Sequence, residues 1–87
     1  MAIRRRNDLT VRDLGTELIL YDSTAETFHI LNDSARKIWM MLDGRHTADE
    51  IRTEYSRQYP REDPVRLGQD LVKTLDEFSR KGLVHTA

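Results

Sequence analysis

The sequence predicts an α+β domain in which a three-stranded antiparallel sheet is followed by three helices, a winged helix-turn-helix-like order. Three observations predict it. Up to Leu31, short runs that are rich in strand formers or alternate apolar and polar side chains are separated by short polar turns. From Ala35 onward, apolar residues recur at helical spacing. Between the two patterns stand only Asn32, Asp33 and Ser34, so strand passes to helix without a linker. At 87 residues the chain is read as one domain, 1–87.

Residues 1–8, with Arg4, Arg5 and Arg6, are expected to form a flexible, solvated end. Leu9 and Val11 then alternate with Thr10 and Arg12 in a half-buried strand pattern, and Gly15 supplies a turn. Glu17 to Asp22 is rich in strand formers, with Leu18 and Leu20 on one face and Ile19 and Tyr21 on the other. Ser23 to Glu26 reads as a polar turn. Thr27 to Leu31 places Phe28 and Ile30 on one face and Thr27, His29 and Leu31 on the other. If strands adjacent in sequence are adjacent in space, this last strand lies at an edge.

Asn32, Asp33 and Ser34 are all good N-caps, because each side-chain oxygen can accept from an orphaned helix N–H. Ala35, Ile38, Trp39 and Leu42 form one apolar stripe, and Gly44 is expected to end this first helix. Thr47 and Glu50 have capping-box spacing for a second helix with the stripe Ala48, Ile51, Tyr55 and Tyr59, stopped by Pro60. Asp63 and Pro64 open a third, which carries Leu67, Leu71, Leu75 and Phe78, with Val72 and Thr74 on its flanks and Gly82 at its end. Leu83 to His85 is expected as a short extended tail. Of Met40 and Met41, one is expected in the core and the other at its margin.

Composition excludes several functions. Acidic and basic residues are interspersed and the formal net charge is −1, which argues against a general polyanion binder. There is no cysteine, hence no disulfide, thiolate metal site or cysteine nucleophile. No apolar run suggests a signal peptide or a membrane span, so the expectation is a cytoplasmic protein with no membrane partner. His29, His46 and His85 lack metal-ligand spacing, Ser34 lacks the glycines of a nucleophile elbow, and the four glycines are scattered. No catalytic residue, metal or cofactor is therefore expected. Three helices with a small sheet make a winged-helix DNA-binding protein the alternative. However, Arg66, Lys73, Arg80 and Lys81 are interleaved with Asp70, Asp76 and Glu77, leaving no basic stripe, so nucleic acid is not the expected partner.

The stretches "HILNDSARKIWMMLDGRHTADEI" and "DLVKTLDEFSRKGLV" resemble the PqqD-like family, the small recognition elements of ribosomally made, post-translationally modified peptide pathways. The likeness rests on Leu31, Asn32, Ala35, Ile38, Trp39, Leu42, Asp43, Gly44, Thr47, Glu50 and Ile51, then Asp70, Leu71, Leu75, Phe78, Gly82 and Leu83. It spans roughly Leu18 to Val84. The resemblance implies a non-catalytic domain that binds the leader segment of a precursor peptide and presents the rest to a modifying enzyme, such as a radical enzyme, a cyclase or a leader protease. It implies that the leader adds as a strand to the edge formed by Thr27, Phe28, His29, Ile30 and Leu31. It also implies that leader side chains enter a groove lined by Leu71, Thr74, Leu75 and Phe78 of the third helix. Thr74 stands where relatives often carry a large apolar residue, implying a wider or more polar groove. "YDSTAE" stands where members devoted to pyrroloquinoline quinone often carry "PE", so the pathway is left unassigned.

Overall fold

A computed structural model describes residues 2–86. The elements are β1 (Ala2–Arg5), β2 (Thr10–Asp13), β3 (Leu18–Asp22), β4 (Thr27–Leu31), α1 (Asp33–Met40), β5 (Asp43–Thr47), α2 (Ala48–Gln58), α3 (Pro64–Arg80) and β6 (Val84–Thr86). They build two three-stranded antiparallel sheets, β2–β3–β4 and β5–β1–β6.

The first sheet is the expected meander, but β2 is exposed along its whole length rather than half-buried: Val11 stands in solvent, and only Leu9, just before the strand, reaches the core. Leu18 and Leu20 point inward from the central strand and are fully buried. They meet a core supplied chiefly by Ile38 and Trp39 of α1, Leu42 just after it, Ile51 and Tyr55 of α2, and Leu67, Leu71 and Phe78 of α3. Trp39 and Phe78 pack edge to face, with centroids 5.6 Å apart, joining α1 to α3. Each large apolar side chain buried in this layer contributes about 1.5–3 kcal/mol. Met41 belongs to the core, while Met40 lies at its margin.

The second sheet departs from the sequence reading. Rather than a solvated end, Ala2–Arg5 is a central strand, paired with β5 on one side and β6 on the other. Its Arg5 finds specific acceptors. Arg5 Nη1 donates to the Trp39 and Met40 carbonyls, which α1 leaves without intrahelical partners. Gly44 does not terminate α1. The helix ends at Met40, where the Met41 and Leu42 amides bond back to the Ile38 and Trp39 carbonyls. Gly44 lies instead in β5 at φ 81°, where Ala2 faces Thr47 and Arg4 faces Asp43, so that β5 bulges against β1. The Asp43 carboxylate shapes this bulge by accepting from the Arg45 and His46 amides and from His46 Nδ1.

The helix signals behave as their chemistry dictates. Asn32 is the residue that caps α1, its side-chain oxygen accepting from Ala35 N at 2.9 Å. The Thr47–Glu50 capping box is complete. Asp63 caps α3, with Pro64 in its first turn. At the far end, the Gly82 and Leu83 amides donate to the Ser79 and Phe78 carbonyls with Gly82 at φ 68°, a Schellman closure that turns the chain into β6.

One polar node connects these parts. The Asp22 carboxylate is buried at the end of β3, where it accepts from the Thr24 and Ala25 amides and from Arg6 Nη1 at 2.8 Å. Arg6 also pairs with Asp8 and donates to the Gly82 carbonyl. The Arg6 guanidinium, followed by the turn amide of Ala25, holds the Asp22 carboxyl below its ordinary pKa.

Three outcomes follow from this packing. Leu20→Ala is expected to lower the unfolding free energy by about 2–5 kcal/mol, measured by urea denaturation. Asp22→Ala is expected to speed hydrogen exchange at the Thr24 and Ala25 amides, read by 15N NMR, while Asp22→Asn, which keeps an acceptor oxygen, slows that loss. The Asp43 carboxylate raises the His46 pKa above 6.5. Its stabilisation is therefore complete below pH 6.5 and disappears as pH rises through the raised folded value. An NMR titration of the His46 ring should show a midpoint above 6.5 that falls in Asp43→Asn.

Candidate functional site

β4 is the outer strand of its sheet, hydrogen-bonded to β3 alone. The register sets Leu31 opposite Leu18, His29 opposite Leu20 and Thr27 opposite Asp22 on the inner face. On the outer face Ile30 lies opposite Ile19 and Phe28 opposite Tyr21, the two rings 4.6 Å apart. Leu31 is buried, but Phe28 and Ile30 are 70% and 67% exposed, an uncommon state for two large apolar side chains on one short strand. His29 is half-buried, with its Nε2 3.4 Å from Thr27 Oγ1.

The strand's length is fixed at both ends. Before it, the Asp22 carboxylate ties down the turn, which closes with Glu26 at φ 55°. After it, Asn32 keeps extended backbone angles, φ −71° and ψ 178°, while its side chain starts α1. None of Thr27, Phe28, His29, Ile30 and Leu31 is a proline or carries a permanent charge, the usual protections of an edge.

The α3 residues separate into two groups. Leu71 and Phe78 are core residues, 4% and 3% exposed. Thr74 and Leu75 are half-buried and present surface, although Thr74 Oγ1 already donates to the Asp70 carbonyl. β4 packs chiefly on β3 and α1, and α3 on α2 and β6, so the edge and the helix are joined through Trp39 of α1 and Phe78 of α3. A groove of about 770 Å³ lies on the α2 side of α3. Leu71 and Leu75 line it together with Arg52, Val65, Gly68 and Val72, and no residue of β4 does. Gly68 lines it beside Arg52, whose Nη2 stands 3.6 Å from where a Cβ would be, an ordinary contact distance.

Sequence reasoning missed Arg6 and Asp22, which position the turn into β4. An aspartate ending a strand before a polar turn was a usable signal for Asp22; nothing in the local pattern pointed to Arg6, which bonds across 16 residues. Among the described residues, no group of three or more His, Cys, Asp or Glu is placed to hold a metal, and no helix is long and apolar enough to cross a membrane.

Two solved structures share this architecture. One, described as TbiB1 in complex with the TbiA(beta) leader peptide, matches with a TM-score of 0.84 at 19% identity, covering 97% of this chain and 96% of that one. The other, lasso peptide synthetase B1 complexed with the leader peptide, matches with a TM-score of 0.83 at 17% identity, covering 99% and 100%. At such identities the likeness establishes the fold. No curated protein gives a significant match. The family model of coenzyme PQQ synthesis protein D (PqqD) matches residues 17–84, from the residue before β3 to the first residue of β6. The chain belongs to the PqqD family.

Proposed function

We propose that this chain is a non-catalytic recognition module that captures the leader segment of a ribosomally made precursor peptide by strand addition to β4. It presents the remainder to a modifying enzyme, such as a radical enzyme, a cyclase or a leader protease. The observation that carries this reading is the unpaired, uncharged edge of Thr27–Leu31 with Phe28 and Ile30 exposed beside it. Family membership supports it, as do the two structural relatives, both of which are bound to leader peptides.

The energetics suit a reversible capture. Backbone hydrogen bonds to an added strand contribute only about 0.5–1.5 kcal/mol each net. Four or five of them barely offset the ordering of a disordered peptide. Apolar leader side chains must supply the rest, at about 1.5–3 kcal/mol for each one buried. Micromolar affinity, about −8 kcal/mol, therefore calls for roughly three to five such side chains. Backbone pairing is blind to side chains, so specificity falls to the surfaces beside the edge, with Thr74 and Leu75 as the α3 contribution above the buried Leu71 and Phe78.

The test is calorimetric titration with the leader of the precursor encoded beside this gene. The wild-type protein should bind with roughly micromolar affinity. Leu75→Asp, with its fold verified by circular dichroism, should weaken binding by about tenfold or more, the equivalent of one lost apolar contact. Unchanged affinity in a folded Leu75→Asp protein would refute the α3 assignment, and no binding by the wild type would refute the function.

A further inference from the structure

The two outer strands of the β2–β3–β4 sheet are not alike. β2 carries Arg12 and Asp13, charges that discourage pairing with another chain. β4 has no such protection, and its sequence, Thr-Phe-His-Ile-Leu, is close to self-complementary when reversed. We propose that the free β4 edge also pairs antiparallel with β4 of a second copy of this chain, about a two-fold axis through His29.

The register follows from the faces of the strand. Phe28 and Ile30 lie on the outer face, while Thr27, His29 and Leu31 lie on the inner face. An axis perpendicular to the sheet keeps outer faces together, so residues directly opposed must share parity. Only the register centred on His29 pairs all five residues of β4. It sets Phe28 against the partner's Ile30, and Thr27 against the partner's Leu31, with the two imidazoles adjacent on the axis. Aromatic and β-branched residues placed opposite one another are favourable cross-strand pairs. Charges at the margins do not conflict: Glu26 falls beside the partner's Asn32, and Asp33 beside the partner's Ala25. The result is a continuous six-stranded sheet in which Tyr21 and Ile19 extend the apolar band to each side. On the reading proposed above, a copy and a leader peptide compete for the same edge, so self-pairing keeps the edge covered until a leader displaces it.

The axis at His29 provides the test, read without any peptide so that its failure leaves leader capture untouched. Sedimentation equilibrium of the full chain at neutral pH should show a concentration-dependent monomer–dimer equilibrium. His29→Glu and His29→Lys each set like charges face to face and should weaken the dimer roughly tenfold or more. An equimolar mixture of the two should restore it as a heterodimer. A wild-type protein still monomeric at about 1 mM overturns the proposal, as does a dimer insensitive to both substitutions or a mixture that does not recover. His29→Cys gives an independent readout because the chain has no cysteine of its own. Mild oxidation should cross-link it to a covalent dimer much faster than it does Thr10→Cys on the opposite edge, and equal rates would contradict the register.

Discussion

The structure turns on the ion pair between Arg6 and Asp22. A buried carboxylate is costly unless its charge and its lone pairs are met, and here both are: Arg6 supplies the charge, and the Thr24 and Ala25 amides supply the remaining bonds. Arg6 in turn reaches Asp8 and the Gly82 carbonyl, while its own amide donates to the Leu83 carbonyl. A single side chain thus ties the end of β1, the turn before β4 and the C-terminus of α3 to one point. The two sheets share no strand, and this node is one of the places where they are fastened together.

Its consequence for function is positional. β4 is short because Asp22 holds the turn before it and Asn32 starts a helix immediately after it. Leu31 enters the core, which anchors one end of the strand, while Phe28 and Ile30 are left on the outside. An edge strand held rigidly at both ends is preorganised for pairing. An incoming strand bears its own ordering cost without also having to order its template.

The first sheet and the three helices were legible in the sequence because each is coded locally. Strand-forming residues mark β3, period-two alternation marks β4, period 3.6 marks the stripes of α1 and α3, and capping chemistry marks Asn32, Thr47 and Asp63. The second sheet was not legible as a sheet, although the extended tail expected over Leu83 to His85 supplies most of β6. β1, β5 and β6 are short and polar and are held by partners far along the chain, such as Arg5 with the end of α1. A run of arginines reads as a solvated end until the carbonyls and carboxylate it serves are in view. The same limitation moved Gly44 from a helix end into a β bulge, because positive φ is required in either place. At the site, the edge position of β4 could be read from the order of the elements. Burial, however, could not: helical spacing sets Leu71, Leu75 and Phe78 on one stripe, and only packing separates two core residues from the one that reaches the surface.

The central claim is that the unpaired edge of Thr27–Leu31 accepts a peptide strand. Isotope-edited NMR of the 13C,15N-labelled chain with unlabelled leader peptide tests it most directly. The account predicts intermolecular Hα–Hα and HN–Hα contacts between the peptide and alternate residues of Thr27 to Leu31, the pattern of a strand ladder. Intermolecular contacts confined to α2 and to the groove between α2 and α3, with none to β4, would contradict it.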